Sequence, residues 1–130
     1  MTAWDSPPVG PGGLNLDLRC RRIGDDVIVV SVAGELDLAT APQLRAYLVD
    51  NTASHPTHLV LDLSAVTFLA SHGIGLLIEA RSGSDEIHGE LHLTGVTTNR
   101  RVRRVLQVTG LLATFDIHDD EDELLHRLAQ

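Results

Sequence analysis

At 130 residues the chain suits one domain around a single core, and its 43% apolar content is enough to build that core. Only 3% of residues are aromatic, so packing must rest on Leu, Val, Ile and Ala. A formal charge of −8, with Arg as the only basic residue type beside His, argues against a nucleic-acid ligand, because the phosphates would be repelled by most of the surface.

Residues 1–13 hold Pro7, Pro8, Pro11, Gly10, Gly12 and Gly13, a composition that predicts a mobile tail carrying Trp4. The domain is therefore expected over 14–130. Leu14, Leu16, Leu18 and Cys20 alternate with polar residues, the period of a half-buried strand. A turn at Ile23-Gly24-Asp25-Asp26 follows, and Val27–Val32 reads as a strand buried on both faces and paired antiparallel with the first. Thr40-Ala41-Pro42-Gln43 has the pattern of a capping box, with Thr40 as cap and Gln43 as its partner, opening a helix that ends near Asp50-Asn51. His58–Leu63 predicts a third strand, Gly73–Arg81 a second helix, Glu90–Thr94 a fourth strand and Thr98–Val108 a third helix ended by Gly110. Ala113–His118 predicts a last strand. The acids Asp119 to Glu123 suit the positive end of a final helix with Leu124, Leu125 and Leu128 inward. The alternation after the hairpin gives an α/β fold: a mixed, largely parallel sheet of about five strands, with an N-terminal antiparallel hairpin and four helices.

No apolar run approaches the roughly 20 residues that cross a bilayer, and the first residues lack a basic segment followed by an apolar stretch. Lone Cys20 has no intramolecular disulfide partner and falls on the inward phase of its strand, as a small buried hydrophobe. A cytoplasmic protein without membrane insertion is expected. Seven histidines show no zinc-type spacing: His88 and His92 are four apart but separated from any shared helix by Gly89, and His55 and His58 flank Pro56. No catalytic pair and no Gly-rich phosphate loop with Lys is present, so neither enzyme, metal nor cofactor is expected. Gly75 is read as permitting close packing of the second helix on the sheet.

Three segments carry a family likeness: Gly34-Glu35-Leu36-Asp37; Leu61-Asp62-Leu63-Ser64-Ala65-Val66-Thr67-Phe68 leading into Ser71-His72-Gly73-Ile74-Gly75; and Val105-Leu106-Gln107-Val108-Thr109-Gly110-Leu111. In this order and spacing they resemble STAS domains, in particular the bacterial anti-sigma factor antagonists, over roughly residues 14–129. The resemblance implies a non-catalytic regulatory domain that binds an anti-sigma factor of serine-kinase type and is switched by phosphorylation of a serine at the start of the second helix. Ser71 occupies that position. The family's usual Asp-Ser-Ser/Thr-Gly is here Ala70-Ser71-His72-Gly73, so the carboxylate and the second hydroxyl are replaced. The expected partner-binding residues are Glu35, Asp37, Ala70, His72, Gly73 and Ile74. Apart from the likeness, a serine at that point also serves as a helix N-cap, worth about 1 kcal/mol. Arg100, Arg101, Arg103 and Arg104 form a basic cluster in an acidic chain, either a solvated helix face or a patch for an anionic partner. The alternative reading is a constitutive STAS adaptor subunit of a transporter or lipid-trafficking complex.

Overall fold

A computed structural model describes residues 16–83 and 85–130; the tail expected over 1–13 and the start of the first strand lie outside the described residues. The elements run β1 (Asp17–Ile23), β2 (Val27–Leu36), α1 (Ala41–Asn51), β3 (His58–Leu69), α2 (Ser71–Arg81), β4 (Glu90–Thr94), α3 (Arg100–Val108), β5 (Ile117–His118) and α4 (Glu121–Leu128). The sheet follows chain order, β1-β2-β3-β4-β5, antiparallel between β1 and β2 and parallel thereafter.

That order places the helices. Right-handed crossovers that always advance one strand in the same direction lie on one face. Accordingly α1, α2 and α3 bury Leu44, Leu48, Leu77, Val102 and Leu106 in one main core over Leu18, Cys20, Ile28, Val30, Leu59, Leu61 and Leu93. The alternate residues Val27, Val29 and Val60 face the other way and are covered by Leu124 and Leu125 of α4. Asp120 caps α4 by accepting from the Glu123 N–H at 3.1 Å, with three acids in the first turn as its dipole favours.

Four local expectations are corrected. Strand β3 runs six residues past Leu63. The β2–β3 register slips between Ser31 and Ala33 and again between Gly34 and Glu35, each slip adding an extra β3 residue. Two bulges turn the inward period from two to three, so Leu63, Val66 and Leu69 are buried while the pairs between them are exposed. The last strand is only Ile117–His118, and residues 112–114 turn instead. Thr40 stands at the N-cap of α1 without capping it; its hydroxyl donates to the Glu35 carbonyl at 2.7 Å, and Gln43 Oε1 accepts from the Leu16 N–H at 3.0 Å. Finally, the glycine packed against the sheet is Gly73. A Cβ there would lie 2.6 Å from Leu36 Cγ, whereas one on Gly75 would meet nothing within 4 Å.

Candidate protein-docking site

Two loops meet at the carboxyl end of the central strands. The β3–α2 junction is tied to β2 by the Ala70 N–H, which donates to the Leu36 carbonyl at 2.9 Å. Ala70 is the N-cap of α2 in extended geometry and offers no side-chain acceptor, so Ser71 is the first helical residue rather than the cap. Its side chain is exposed and makes no hydrogen bond among the described residues. The carbonyl of Ala70 accepts from Gly73 and Ile74 at 3.0 and 3.1 Å. The Ser71 and His72 N–H groups, one position earlier, have no protein acceptor among the described residues, as at any helix start without a cap.

Of the residues expected at the site, His72 is exposed and Glu35 is exposed on the neighbouring strand. Asp37 is committed locally: its Oδ1 accepts from the Ala39 and Thr40 N–H groups at 3.0 and 3.1 Å and fixes the β2–α1 loop. Gly73 is buried and Ile74 is half-buried against the core, so both seat the helix instead of lining its outer face. Arg100, Arg101, Arg103 and Arg104 are all exposed on α3. Arg101 reaches the site, sharing a recess of about 320 Å³ with Glu35, Thr67 and Phe68.

The sequence reading passed over the apolar part of this surface. Leu38, in the β2–α1 loop, is 66% exposed, Phe68, at the end of β3, is 50% exposed, and Ile78 is 43% exposed on α2. Leu38 also lines a groove of about 320 Å³ between α1 and α2 with Pro42, His72, Gly75 and Leu76. Gly75 keeps that groove open. Its wall is braced by Arg45, which donates to Glu79 Oε2 at 3.0 and 2.8 Å, to Glu79 Oε1 at 3.2 Å and to Glu86 at 2.9 Å. Those bonds, Glu79 first and Glu86 second, push the Arg45 pKa further up. An apolar rim around an exposed hydroxyl, within reach of both charge signs, is suited to binding protein.

Residues 21–124 match the family described as STAS domain. The chain belongs to the STAS domain family. This STAS domain is similar to the anti-sigma-F factor antagonist RsfB of Mycobacterium tuberculosis, 38% identical over 89 residues that cover 68% of this chain and 70% of RsfB. The crystal structure of an anti-sigma factor antagonist from Mycobacterium paratuberculosis matches with a TM-score of 0.69 at 33% identity, covering 88% of this chain and 95% of that one. SpoIIAA in its unphosphorylated form, at 22% identity, shares the fold, with a TM-score of 0.68 over 85% of this chain and 95% of its own. The mixed five-stranded sheet with four helices is thus the STAS fold. Among the described residues, no helix is long and apolar enough to cross a membrane.

Proposed function

We propose that this STAS domain is a non-catalytic anti-sigma factor antagonist, docking an anti-sigma factor of serine-kinase type through the start of α2 and the β2–α1 loop. Ser71 is the phosphoacceptor that switches the complex off. The observation that carries this reading is the exposed, unbonded Ser71 hydroxyl on the first turn of a helix that lacks a side-chain cap. The similarity to anti-sigma factor antagonists supports the partner class.

A phosphate on Ser71 adds about −1.5 to −2 charge where unbonded N–H groups and the helix dipole favour an anion, so the domain keeps its fold. A partner seated over Leu38, Phe68 and His72 meets a dianion that its interface must desolvate, and is released. The loss of the family's usual carboxylate at Ala70 leaves the acceptor hydroxyl in place and removes a negative neighbour from it.

Incubation with a cognate anti-sigma kinase and ATP is expected to label the wild type and leave Ser71→Ala unlabelled. Ser71→Glu is expected to lower capture of that partner at least 10-fold, with an unchanged circular dichroism spectrum. Equal labelling of wild type and Ser71→Ala overturns the acceptor assignment. Equal capture of wild type and Ser71→Glu overturns the switch and favours a constitutive adaptor.

A further inference from the structure

On the opposite face of the sheet, away from α2, the topology brings together side chains that are far apart in sequence. His92 on β4 is buried, Asp116 immediately precedes β5, and His118 ends β5. Asp116 Oδ2 lies 2.5 Å from His92 Nδ1 and 2.7 Å from His118 Nε2. All three donor atoms fall within 4.8 Å of one another. The two rings stand edge-to-face, with centroids 5.8 Å apart, so each turns a nitrogen toward the same carboxylate oxygen. Burial raises the Asp116 pKa, but the hydrogen bonds from His118 and His92 outweigh it and hold the carboxyl below its usual range.

We propose that His92, Asp116 and His118 form a binding site for a divalent transition-metal ion of the zinc class, which would cross-link β4 to the short edge strand β5. Two imidazoles and one carboxylate are the donors that such ions take, with the remaining positions left to water. Tetrahedral bonds of about 2.0–2.1 Å set neighbouring donors a little over 3 Å apart. Asp116 Oδ2 must therefore open slightly from both rings, while the two ring nitrogens, within 4.8 Å of each other, settle to the same spacing, on the most weakly paired strand of the sheet. Only Leu93↔Ile117 and Thr94↔His118 hold β5 in register.

The surroundings orient the ligands. His58 Nδ1 lies 3.0 Å from His92 Nε2, so a metal on Nδ1 leaves His92 a proton on Nε2 to donate to His58. His58 Nδ1 is in turn 3.9 Å from Glu90 Oε2. His118 Nδ1 is 3.2 Å from Arg127 Nη2, which donates to it. A metal on His118 Nε2 moves the ring proton to Nδ1, where it faces that guanidinium; exposed Arg127 must then swing aside. Arg127 thus opposes the ion, and its removal is a sign-specific test.

This geometry was not legible in the sequence. His92 and Asp116 are 24 residues apart, and only the parallel β4–β5 pairing makes them neighbours. The proposal departs from the expectation of no metal drawn from spacing.

The test titrates tag-free full-length protein with Co(II), following the visible bands of low-coordinate cobalt, and then displaces the cobalt with Zn(II). One equivalent is expected to bind. Asp116→Asn and His118→Gln, both at partly exposed positions, are expected to lower affinity at least 10-fold while the far-ultraviolet spectrum is unchanged. Arg127→Gln, which offers an acceptor to the His118 ring, is expected to tighten binding several-fold. Zn(II) at about 100 times its Kd is expected to raise the unfolding midpoint by roughly 10 °C. The stacked pair His55 and His88, with centroids 3.7 Å apart, is the control for chance histidine binding. No binding, binding unmoved by Asp116→Asn and His118→Gln, binding lost in His55→Ala or His88→Ala instead, or unchanged or weaker binding by Arg127→Gln overturns the proposal.

Discussion

Two glycines separated by a single residue on α2 do opposite things. Gly73 sits where the helix touches the sheet: a methyl there would lie 2.6 Å from Leu36 Cγ and 2.9 Å from Leu69 Cδ1, and Leu36 is fully buried. Gly75 faces the open groove with nothing in the way. Gly73→Ala is therefore expected to destabilise the domain by about 1–3 kcal/mol through overpacking. Gly75→Ala is expected to stabilise it by about 0.5–1 kcal/mol, since alanine is the better helix former. Urea denaturation of both variants measures the contrast, and equal signs would contradict the placement of the helix. The segment Gly73-Ile74-Gly75 stands out in the sequence, but which glycine is pinned depends on the rotation of the helix about its axis. That rotation is set by Leu76, Leu77 and Ala80 packing on the sheet, and a helix this apolar has too weak a polar face to reveal it.

At the scale of elements, the bulged end of β3 is held by the side chain that caps α3. Asn99 Oδ1 accepts from the Val102 N–H at 3.3 Å, capping the helix, while its Nδ2 donates to the carbonyls of Leu63 at 2.9 Å and Val66 at 2.8 Å. These carbonyls lie in the stretch where the β2–β3 register slips. Asn99→Ala removes the cap and both donors and is expected to lose about 2–4 kcal/mol. Asn99→Asp keeps an acceptor for the cap but turns a carboxylate toward two carbonyls. It is expected to lose at least about 1–3 kcal/mol. Should Asn99→Asp unfold like wild type, the cap alone accounts for the residue. The same bulges explain what the sequence concealed. The hairpin, the order of the helices and the parallel sheet were legible, because strands such as Val27–Val32 and Glu90–Thr94 keep an unbroken pattern. Beyond Leu63 the buried residues recur every third position, a period that belongs to neither a strand nor an α-helix. Likewise β5 is too short to show any period. Of the candidate site, Ser71 was marked in the sequence by its motif, while Leu38 and Phe68 were not, because a loop exposes the first and the bulged end of β3 the second.

At the scale of the whole molecule, the sheet is shared between two apolar layers of unequal size. Val27 and Val29 point to α4 while Ile28 and Val30, on the same strand, point to α1 and α2. Further ties run across the minor layer: Arg21 bonds Glu121 at 3.0 Å and the Thr94 hydroxyl donates to Glu121 at 2.8 Å. A defect under α4 therefore loosens strands that the main core also needs, and the two layers cannot melt separately. Leu124→Ala, at a fully packed position, is expected to lose about 2–4 kcal/mol in a single transition with an unchanged denaturant slope. The proposed docking surface lies on the far side of the sheet, so below the transition the variant should bind protein as wild type does. The measurement is denaturation followed both by circular dichroism and by amide exchange of β2. If α4 detached on its own, exchange in β2 would stay slow through a first, smaller transition, and the two layers would be independent units stacked on one sheet.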